Sequence, residues 1–365
     1  MIRILQCVNI MNRAGLETML MNYYRNIDRD KIQFDFLTHR SSKGVYDDEV
    51  LSLGGKVYYA PRLYPQNYLK YFKWMEEFFK EHPEYQIIHS HIDAMSYLPL
   101  KAAKKAGVPV RIAHSHSTSI DCDFKYPLKQ YYRHRIGSVL TDEFSCGKAA
   151  GEFLFQNDNF TVIPNAVDAT KFYYNEDMRN AVREKLKISK QTFVMGHVGR
   201  ISYPKNHCFL IDIFKFYHES NRDSVLLIIG TGDREEEVKN YAKESGVNDS
   251  IKFLGNQNDT SKFYQAFDVF VLPSLFEGVP LVGVEAQFAD LPCFFSDKVP
   301  TEVVFSDKTH FMSLNQSAEE WAREIDKVDI LHRNSQRPIL TNAYYNIQTA
   351  HEKLEEKYYK LYELI

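Results

Sequence analysis

The chain has 365 residues, of which 44% are hydrophobic and 25% are charged, close to the averages for globular proteins. This composition excludes collagen-like, disordered and disulfide-scaffold classes. The five cysteines are scattered and form no C-x-x-C pair, which argues against a structural zinc site and predicts a reducing compartment. The length predicts two domains.

Charge and hydropathy narrow the location and the partners. No apolar run approaches the roughly 18 residues of a membrane span, and the first ten residues lack the features of a signal peptide. Residues 1–165 carry a small basic excess, whereas the remainder is acidic and the whole chain has a net charge of −3. This asymmetry is too small to predict a nucleic-acid partner. We therefore expect a cytoplasmic protein, peripheral at most on the inner face of the cell membrane.

Short apolar runs alternate with amphipathic stretches along the first half of the chain. The runs predict strands at Ile2–Ile10, Phe34–Thr38, Lys56–Tyr59, Gln86–Ser90 and Val110–His114. The stretches predict helices that include Gly15–Tyr24, Tyr68–Lys80 and Ala94–Ala106. Such alternation is typical of a parallel sheet covered by helices on both faces.

The same alternation begins again after Pro164. Strands are predicted at Phe193–His197, Val225–Gly230, Ile251–Leu254, Val269–Leu272 and Cys293–Ser296, with helices that include Glu235–Ser245 and Leu281–Phe288. The fold class is therefore α/β, with two Rossmann-like, doubly wound domains at 1–165 and 166–345. Because open α/β sheets bind ligands at the carboxyl ends of their strands, we expect the two domains to face each other across a ligand cleft.

The last segment, Pro338–Ile365, reads as an amphipathic helix. Leu354, Tyr358, Leu361 and Tyr362 recur on it at spacings of three or four residues, which predicts that it packs on another element.

A glycine turn followed by two cations ends one strand of the second domain. Gly199 and Arg200 come first, and Lys205 and Asn206 follow just before a helix. Backbone N–H groups, a helix N-terminus and two positive charges together suit a diphosphate. A turn with exposed cations is the alternative.

A second loop carries two carboxylates. Glu277 and Gly278 follow a buried strand, Pro280 suits the first turn of a helix, and Glu285 lies two turns into that helix. Glu277 is placed to meet a ligand, and Glu285 to accept hydrogen bonds from hydroxyl groups. A helix cap and a surface residue are the alternatives.

The first domain offers a small-residue turn and four histidines. The turn at Asn12–Glu17 is not G-x-G-x-x-G, so a nicotinamide enzyme fits poorly. His89 and His91 follow one strand, and His114 and His116 follow the next. A strand-end histidine can donate to a substrate hydroxyl or transfer a proton. No carboxylate or cysteine cluster accompanies these histidines, so we expect no metal there.

Taken in order, these segments resemble the retaining nucleotide-sugar glycosyltransferases of family 4, which have the GT-B fold. Glu277 and Glu285 match the E-x7-E motif of that family. The matches cover nearly the whole chain: the turn near Gly15, the strand-end histidines, Ile163–Asp168, Gly199-Arg200 with Lys205-Asn206, Phe253–Gly255, and Pro273-Ser274. Within the family, the chain looks most like glycosyltransferases of bacterial capsules and exopolysaccharides.

The resemblance implies a role for each matching residue. Arg200 and Lys205 would neutralise the donor diphosphate without a metal, and no other cofactor is expected. Glu285 would accept from the ribose hydroxyls. Further donor-binding roles fall on Gly15, Gly199, Asn206, on Phe253 and Leu254 beside the base, and on Gly278, Val279, Pro280 and Leu281, which with Glu277 would hold the transferred sugar.

The active-site histidine of the family fits His116 better than His114, because Ser-Thr follows it. The final helix would cross back to the first domain. Two departures are visible: the first loop has Ala14-Gly15 where two glycines are expected, and Asp290 stands where a glycine is common. The first puts the geometry of the loop in doubt.

The expected reaction transfers a sugar from a nucleotide donor to a hydroxyl of a glycan or of a polyprenyl-diphosphate-linked acceptor. The resemblance implies a uridine-linked donor, since uridine is the most frequent base in the family. Three alternatives remain: a metal-dependent transferase using Asp28-Arg-Asp30 or Asp121-Cys-Asp123, an epimerase or phosphorylase of the same fold, and a non-catalytic partner subunit. Retention of both glutamates and both cations argues against the last.

A basic and aromatic segment follows the His116 segment. Lys125, Lys129 and Arg133 recur every four residues, which would place them on one face of a helix. Cations mixed with aromatic residues suit an anionic membrane surface, and a lipid-linked acceptor docked there would present its sugar to the cleft. An ordinary solvated helix is the alternative.

Overall fold

The computed structural model describes residues 1–120, 125–328, 330, 333 and 344–365. The chain divides into two compact units. Unit 1 comprises Met1–Ala166 with Ile347–Ile365, and unit 2 comprises Val167–Asn346. The predicted boundaries lay one residue earlier, at 165/166 for the first crossing, and at 345/346 for the second.

Unit 1 is built on a sheet of seven parallel strands in the order β3-β2-β1-β4-β5-β6-β7. The strands are β1 (Ile2–Val8), β2 (Ile32–Thr38), β3 (Val57–Tyr59), β4 (Ile87–Ser90), β5 (Val110–Ser115), β6 (Asp142–Ser145) and β7 (Thr161–Val162). The central strands are buried on both faces, which explains their almost continuously apolar sequences. The order changes direction at β1, so β1 and β4 diverge at a topological switch point, where open sheets bind ligands.

Helices cover this sheet. They are α1 (Gly15–Asn26), α2 (Asp47–Ser52), α3 (Tyr68–Glu81), α4 (Tyr97–Lys105), α5 (Tyr126–Arg135) and α6 (Lys148–Phe155). The buried side chains of α3 and α4 pack with Leu5, Ile88 and Ala113 of the central strands into one core.

Unit 2 repeats this architecture with six parallel strands in the order β10-β9-β8-β11-β12-β13. The strands are β8 (Phe193–Val198), β9 (Ser224–Ile229), β10 (Ile251–Phe253), β11 (Val269–Leu272), β12 (Cys293–Ser296) and β13 (Thr309–Met312). The helices are α7 (Glu176–Lys185), α8 (His207–Ser220), α9 (Glu235–Glu244), α10 (Ser261–Ala266), α11 (Leu281–Phe288) and α12 (Ala318–Asp326). β8 and β11 are adjacent at the switch point, so the loops that follow them open at the same edge of the sheet.

A buried ion pair anchors α7 to this sheet. Arg183 donates to the carboxylate of Asp268 at 2.7 Å, and both side chains are buried. The same carboxylate accepts the backbone N–H of Val194 in β8. Removing one partner of such a pair would leave the other charge buried and unpaired. The pair therefore holds α7 close to the N-terminal end of β8.

The final helix, α13 (Ile347–Glu363), belongs to unit 1 although it follows unit 2 in the chain. Ile347, Ala350, Leu354 and Tyr358 are its buried residues, and it packs against α1. The predicted return of this helix to the first domain is confirmed. Its predicted start, Pro338, lies outside the described residues.

Two details differ from the sequence-based expectations. The helix predicted at Ala94–Ala106 begins only at Tyr97, because Asp93 adopts a left-handed conformation with φ of 45° and opens a short 3-10 turn, Asp93–Ser96. Strands β6, β7 and β13 were not predicted, since they are short and β6 and β13 mix polar with apolar residues. Among the described residues, no helix combines the length and apolarity needed to cross a bilayer.

Candidate active site

The turn that joins β8 to α8 contains the four residues predicted to bind a diphosphate. Gly199 follows β8 directly, and its carbonyl oxygen would lie 2.1 Å from a Cβ at position 230. Gly230 has φ of +130° there, so only glycine allows the two backbones to approach so closely. Asn206 is also left-handed, with φ of 55°, and begins α8.

Two hydrogen bonds tie this turn to the loop after β11. The side-chain amide of Asn206 donates to the carbonyl oxygen of Pro273 at 3.1 Å. The backbone N–H of Leu275 donates to the carbonyl oxygen of Pro204 at 2.7 Å. The structure therefore brings the two predicted loops together as one edge of unit 2.

Lys205 and Glu277 form the centre of this edge. The ammonium nitrogen of Lys205 lies 2.5 Å from Oε1 of Glu277, and the two side chains are only 17% and 13% exposed. The hydroxyl of Ser274 donates to the same oxygen at 2.7 Å. The carboxylate is thus held in place by two donors, and the ammonium is held at the mouth of the β8–α8 turn.

Arg200 occupies a different environment. Its guanidinium donates to Asp233 at 3.1 Å, and the two side chains are 68% and 63% exposed. Exposed ion pairs contribute about 0–1 kcal/mol, so this pairing is readily exchanged for a more highly charged anion. Lys205 thus contacts Glu277 directly, and Asn206 is hydrogen-bonded to the loop that carries Glu277. Arg200, by contrast, is largely exposed to solvent.

The residues Gly278, Val279, Pro280 and Leu281 lead into α11. Pro280 occupies the N-cap position with extended backbone angles, and no side chain caps the helix. The first N–H groups of a helix have no partner within it and carry partial positive charge. This end of α11, which begins four residues after Glu277 in the sequence, therefore offers hydrogen-bond donors.

Glu285 is buried in α11 and contacts one tyrosine. The hydroxyl of Tyr264 donates to Oε2 of Glu285 at 2.6 Å. Burial raises the pKa of Glu285 to about 7, although the hydrogen bond from Tyr264 acts in the opposite direction. At neutral pH this carboxyl group is close to half ionised, so a ligand that donates hydrogen bonds to it would draw it into the ionised form.

Phe253 and Leu254 lie at the end of β10, and both side chains are half-buried. The backbone N–H of Leu254 donates to Ile228, and its carbonyl oxygen accepts from the side chain of Gln257 at 2.6 Å. The remaining lone pair of this carbonyl is the polar group that Leu254 can offer to a base.

In unit 1, His116 follows β5 and is held at both its backbone and its ring. Its backbone N–H donates to Oδ1 of Asp93 at 2.9 Å, and its Nε2 lies 3.0 Å from Nδ1 of His91. Burial lowers the pKa of His116 to about 3. The ring is therefore neutral at physiological pH.

The other histidines extend this contact into a buried network. Nε2 of His91 lies 2.7 Å from Oε1 of Gln6, and Nε2 of Gln6 donates to the hydroxyl of Tyr358 at 3.1 Å. That hydroxyl lies 2.6 Å from Nδ1 of His89, whose Nε2 lies 3.2 Å from Nδ1 of His114. Ligand atoms of His89, His91 and His114 all lie within 4.8 Å of one another. Most of these nitrogens are engaged in hydrogen bonds, so the arrangement is that of a network.

Gly15 begins α1, preceded by Ala14 in an extended conformation. Glu17, in the first turn, is buried, and desolvation raises its pKa to about 7. Because Ala14 has the extended backbone usual for an N-cap residue, α1 begins normally despite this departure from the family pattern. The other departure, Asp290, is left-handed with φ of 54°, as the glycine expected there would permit, and its carboxylate pairs with Lys308 at 2.9 Å.

Two of the three cations predicted to face a membrane are used inside the protein. Lys125 donates to the carbonyl oxygen of Leu63 at 3.2 Å, and Arg133 donates to that of Phe153 at 2.6 Å. They do not form a free cationic row with Lys129, because each is turned towards backbone oxygens and an aromatic ring.

The two Asp-x-Asp matches differ in what the structure says of them. Asp28 pairs with Lys31 at 2.8 Å and accepts the backbone N–H of Asp30, which makes it part of the turn before β2. Asp121 and Asp123 lie outside the described residues.

Several residues of the site were not anticipated from the sequence. Ser274 and Tyr264 hold the two glutamates, Asp93 holds the backbone of His116, and Gln6 and Tyr358 hold the histidines. Gln6 carries a weak signal, since an amide inside an apolar strand needs a partner. The partners themselves are distant in sequence.

Comparisons with known proteins identify the family of the chain. The family model described as Glycosyltransferase Family 4 matches residues 13–171, and the one described as Glycosyl transferases group 1 matches residues 178–343. EpsF of Bacillus subtilis, a glycosyltransferase by name, is 35% identical over 332 residues, which are 88% of this chain and 86% of EpsF. The chain belongs to glycosyltransferase family 4.

Other family members connect the chain with surface polysaccharides. The capsular polysaccharide biosynthesis glycosyltransferase CapH of Staphylococcus aureus is 25% identical over 98% of this chain and 99% of its own length. A galactosyltransferase of Escherichia coli, named for UDP-Gal and α-D-GlcNAc-diphosphoundecaprenol, is 31% identical over 59% of this chain and 58% of its own. The protein is thus a family 4 glycosyltransferase of polysaccharide biosynthesis.

The solved structure of HepE from Anabaena in complex with UDP-glucose has the same fold. It superposes with a TM-score of 0.82 over 99% of this chain and all of HepE, at 17% identity. This likeness confirms the predicted GT-B fold class.

Proposed function

We propose that this family 4 glycosyltransferase transfers a hexose, with retention of anomeric configuration and without a metal ion, from a UDP-sugar to a hydroxyl of a lipid-diphosphate-linked glycan. The observation that supports the proposal most directly is the Lys205–Glu277 pair with Ser274 at the edge shared by the β8 and β11 loops. It combines a cation for phosphate and a carboxylate for sugar hydroxyls within one contact.

The diphosphate of the donor has a set of positive groups in unit 2. Lys205 lies in the β8–α8 turn, and Arg200 supplies a second, exposed cation whose ion pair with Asp233 is weak and readily exchanged. The N-terminus of α11 adds backbone donors. Because negative charge develops on the diphosphate as it leaves, such preorganised donors stabilise the transition state more than the ground state.

The ribose and the base have separate candidates. Glu285 can accept hydrogen bonds from the two ribose hydroxyls once it is ionised, and Tyr264 keeps one of its oxygens in place. The carbonyl oxygen of Leu254, beside Phe253, can accept from a base N–H. Uridine is supported by HepE, which was solved with UDP-glucose, and by the UDP-Gal in the name of the E. coli relative.

We propose substitution on one face of the sugar. The bond between the anomeric carbon and the diphosphate oxygen breaks, the acceptor oxygen bonds to the same carbon, and the acceptor proton passes to a phosphate oxygen of the leaving group. Glu277 is committed to Lys205 and Ser274, which suits binding of sugar hydroxyls better than nucleophilic attack. We propose His116, in unit 1, as a hydrogen-bonding partner of a substrate hydroxyl.

The acceptor class is supported by the E. coli relative, whose name specifies a diphosphoundecaprenol-linked sugar. Such an acceptor is anchored in a membrane, so we propose that the enzyme works as a peripheral protein at the cytoplasmic face.

A panel of sugar nucleotides tests this proposal. Purified enzyme is incubated with each donor and a short-chain lipid-diphosphate sugar, and the anomeric coupling of the product is read by NMR. We expect one UDP-hexose to be used and its configuration to be kept. Glu277→Gln should lose turnover while folding normally. Inversion of configuration, or strict preference for another base, would contradict the proposal, and absence of transfer and donor hydrolysis throughout would favour a non-catalytic partner.

A further inference from the structure

The hydrogen bonds of the histidine network in unit 1 run in a direction that can be assigned from one side chain. Gln6, His91 and His116 form one branch, and Gln6, Tyr358, His89 and His114 form the other. An amide is the one group in this network with a fixed donor end and a fixed acceptor end. Gln6 is fully buried and contacts both branches, so its orientation determines which nitrogen carries each proton.

In the first branch, the amide oxygen of Gln6 can only accept. Nε2 of His91, 2.7 Å away, must therefore carry a hydrogen. Because burial lowers the pKa of His91 well below its usual value, the ring is neutral and its Nδ1 has a lone pair. Nε2 of His116, 3.0 Å from that lone pair, must then be the donor. The neutral ring of His116 is left with an unprotonated Nδ1.

In the second branch, the amide nitrogen of Gln6 donates to the hydroxyl of Tyr358. We infer that this hydroxyl donates in turn to Nδ1 of His89, 2.6 Å away. The neutral His89 ring then has its hydrogen on Nε2, which can donate to Nδ1 of His114 at 3.2 Å. This branch ends at Nε2 of His114, a buried atom without a partner among the described residues. Gln6 is the one group that takes part in the hydrogen bonds of both branches, although the rings of His114 and His116 also stack with centroids 4.1 Å apart. A loss of hydrogen bonding in the second branch therefore need not move the protons of the first.

We propose that Gln6, acting through His91, is the positioning residue that selects the Nε2-protonated form of His116, so that His116 presents Nδ1 as a hydrogen-bond acceptor to a substrate hydroxyl. The part that assigns the acceptor to a substrate rests on the proposed function, whereas the choice of tautomer does not. In this role His116 does not donate a hydrogen bond to the substrate. Its Nδ1 instead accepts a hydrogen bond from the substrate hydroxyl.

Nitrogen NMR of protein labelled with ¹⁵N-histidine tests the tautomer directly, without substrate. The signals of His116 are assigned by their loss in His116→Gln. We expect the shift of a protonated Nε2 and an unprotonated Nδ1 in the wild type. A protonated Nδ1 would overturn the proposal, because it would show that the amide of Gln6 is reversed and every bond in both branches with it.

Two variants test the role of Gln6. Gln6→Met removes the acceptor of His91 and should give a mixture of His116 tautomers, whereas Tyr358→Phe breaks only the second branch and should leave His116 unchanged. Equal disturbance by both would show that the network acts by packing alone. Gln6→Glu retains an acceptor for His91 and should restore the wild-type tautomer. If Gln6→Met does not fold, the wild-type spectrum and Gln6→Glu still decide.

Turnover then tests the substrate part. Gln6→Met should lower kcat by about 10- to 100-fold, by analogy with the loss of a residue that orients a metal-binding imidazole, with little change in the KM of the donor, and Gln6→Glu should recover most of it. The expected tautomer together with unchanged kcat in Gln6→Met would overturn the assignment of the acceptor while leaving the donor site intact. The same ¹⁵N spectra are also recorded after addition of Zn²⁺. If the signals of His89, His91 and His114 move to the shifts of metal-bound nitrogens, the three residues form an ion site, and the hydrogen-bond network is refuted.

Discussion

At the residue scale, the ionisation of Glu285 should couple donor binding to pH. Burial raises its pKa to about 7, and only the ionised carboxylate accepts hydrogen bonds from both ribose hydroxyls. UDP binding below pH 7 should therefore release a proton. As the pH is raised towards 7, the Kd of UDP should fall by up to about tenfold per pH unit, and above pH 7 it should level off. Calorimetry between pH 5.5 and 8.5 measures this. A Kd that does not vary with pH would contradict the ribose assignment.

Two variants sharpen that measurement. Glu285→Gln should bind UDP weakly with no pH dependence below 7. Tyr264→Phe removes the hydrogen bond that lowers the pKa of Glu285, so it should move the midpoint to higher pH. The pH dependence of folding stability is opposite to that of UDP binding. Because the pKa of Glu285 is higher in the folded protein than the unfolded value of 4.5, the unliganded protein loses stability as the pH rises from about 4.5 to 7. Glu285→Gln should therefore be more stable than the wild type above that range.

Arg200 and Lys205 should both be needed for turnover, although their surroundings differ. Replacing Arg200 with Ala should lower kcat on the order of 10²–10³, as for loss of one preorganised charge-stabilising donor, with little change in folding because the side chain is 68% exposed. Lys205→Met should cost at least as much, because it also leaves Glu277 without its cation. Arg323→Ala, which removes an equally exposed paired arginine, is the matched control. Near-normal turnover of a folded Arg200→Ala would refute its diphosphate role.

Residue by residue, sequence patterns predicted which side chains are candidates for the chemistry, but they did not predict the contacts of those side chains. Glu277, Lys205 and Glu285 were predicted because loops after parallel strands gather at one edge. Tyr264 was missed, and Ser274 was noted only as part of a motif match without a contact, because hydrogen-bond partners depend on three-dimensional placement.

At the scale of elements, α13 should stabilise unit 1. It buries Ile347, Ala350, Leu354 and Tyr358 and packs on α1. Leu354→Ala should cost about 2–5 kcal/mol of unfolding free energy, as for other buried leucines, whereas Leu364→Ala, at an 84% exposed position, should cost almost nothing. Removing the chain from Asn346 onward should lower the melting temperature of unit 1 further. Unchanged melting of unit 1 after truncation would show that α13 contributes nothing to it.

Element boundaries followed the strength of the local signal. β11, β12 and α11 begin and end at the predicted residues, because buried strands and a proline-led helix have sharp limits in sequence. The start of α4 was placed three residues too early, since nothing in the sequence around Asp93 announces its left-handed backbone.

The membrane prediction for α5 changes in detail. Lys125 and Arg133 bind backbone oxygens of Leu63 and Phe153, so reversing them would disturb folding. We expect salt-sensitive binding to anionic vesicles, reduced about fivefold or more by Lys129→Glu, at roughly 1 kcal/mol per cation. Lys148→Glu on α6 is the control, since Lys148 is an exposed cation on a neighbouring helix of the same unit. Equal binding by both variants, or none by the wild type, would remove α5 from the membrane surface.

At the scale of the whole molecule, the donor-binding groups proposed for unit 2 are distinct from the network around His116 in unit 1. Each set is completed within its own unit: Lys205, Glu277 and Ser274 in one, and Gln6, His91 and Tyr358 in the other. Return of α13 to unit 1 is what brings Tyr358 into its network. In the proposed donor site, side chains and a helix terminus would neutralise the diphosphate, which predicts that no divalent ion is needed.

Activity should therefore survive chelation. Prolonged treatment with EDTA, followed by assay without added metal, should leave kcat within about twofold of the untreated enzyme, because Arg200, Lys205 and the α11 N-terminus supply the neutralising charge. Asp28 is paired with Lys31. Among the described residues, the one group of three or more His, Cys, Asp or Glu side chains whose ligand atoms all lie within 4.8 Å of one another is His89, His91 and His114. Loss of activity reversed by Mn²⁺ or Mg²⁺ would contradict the prediction and direct attention to Asp121 and Asp123. Loss reversed by Zn²⁺ alone would instead implicate the three histidines, and so refute the hydrogen-bond network along with metal independence.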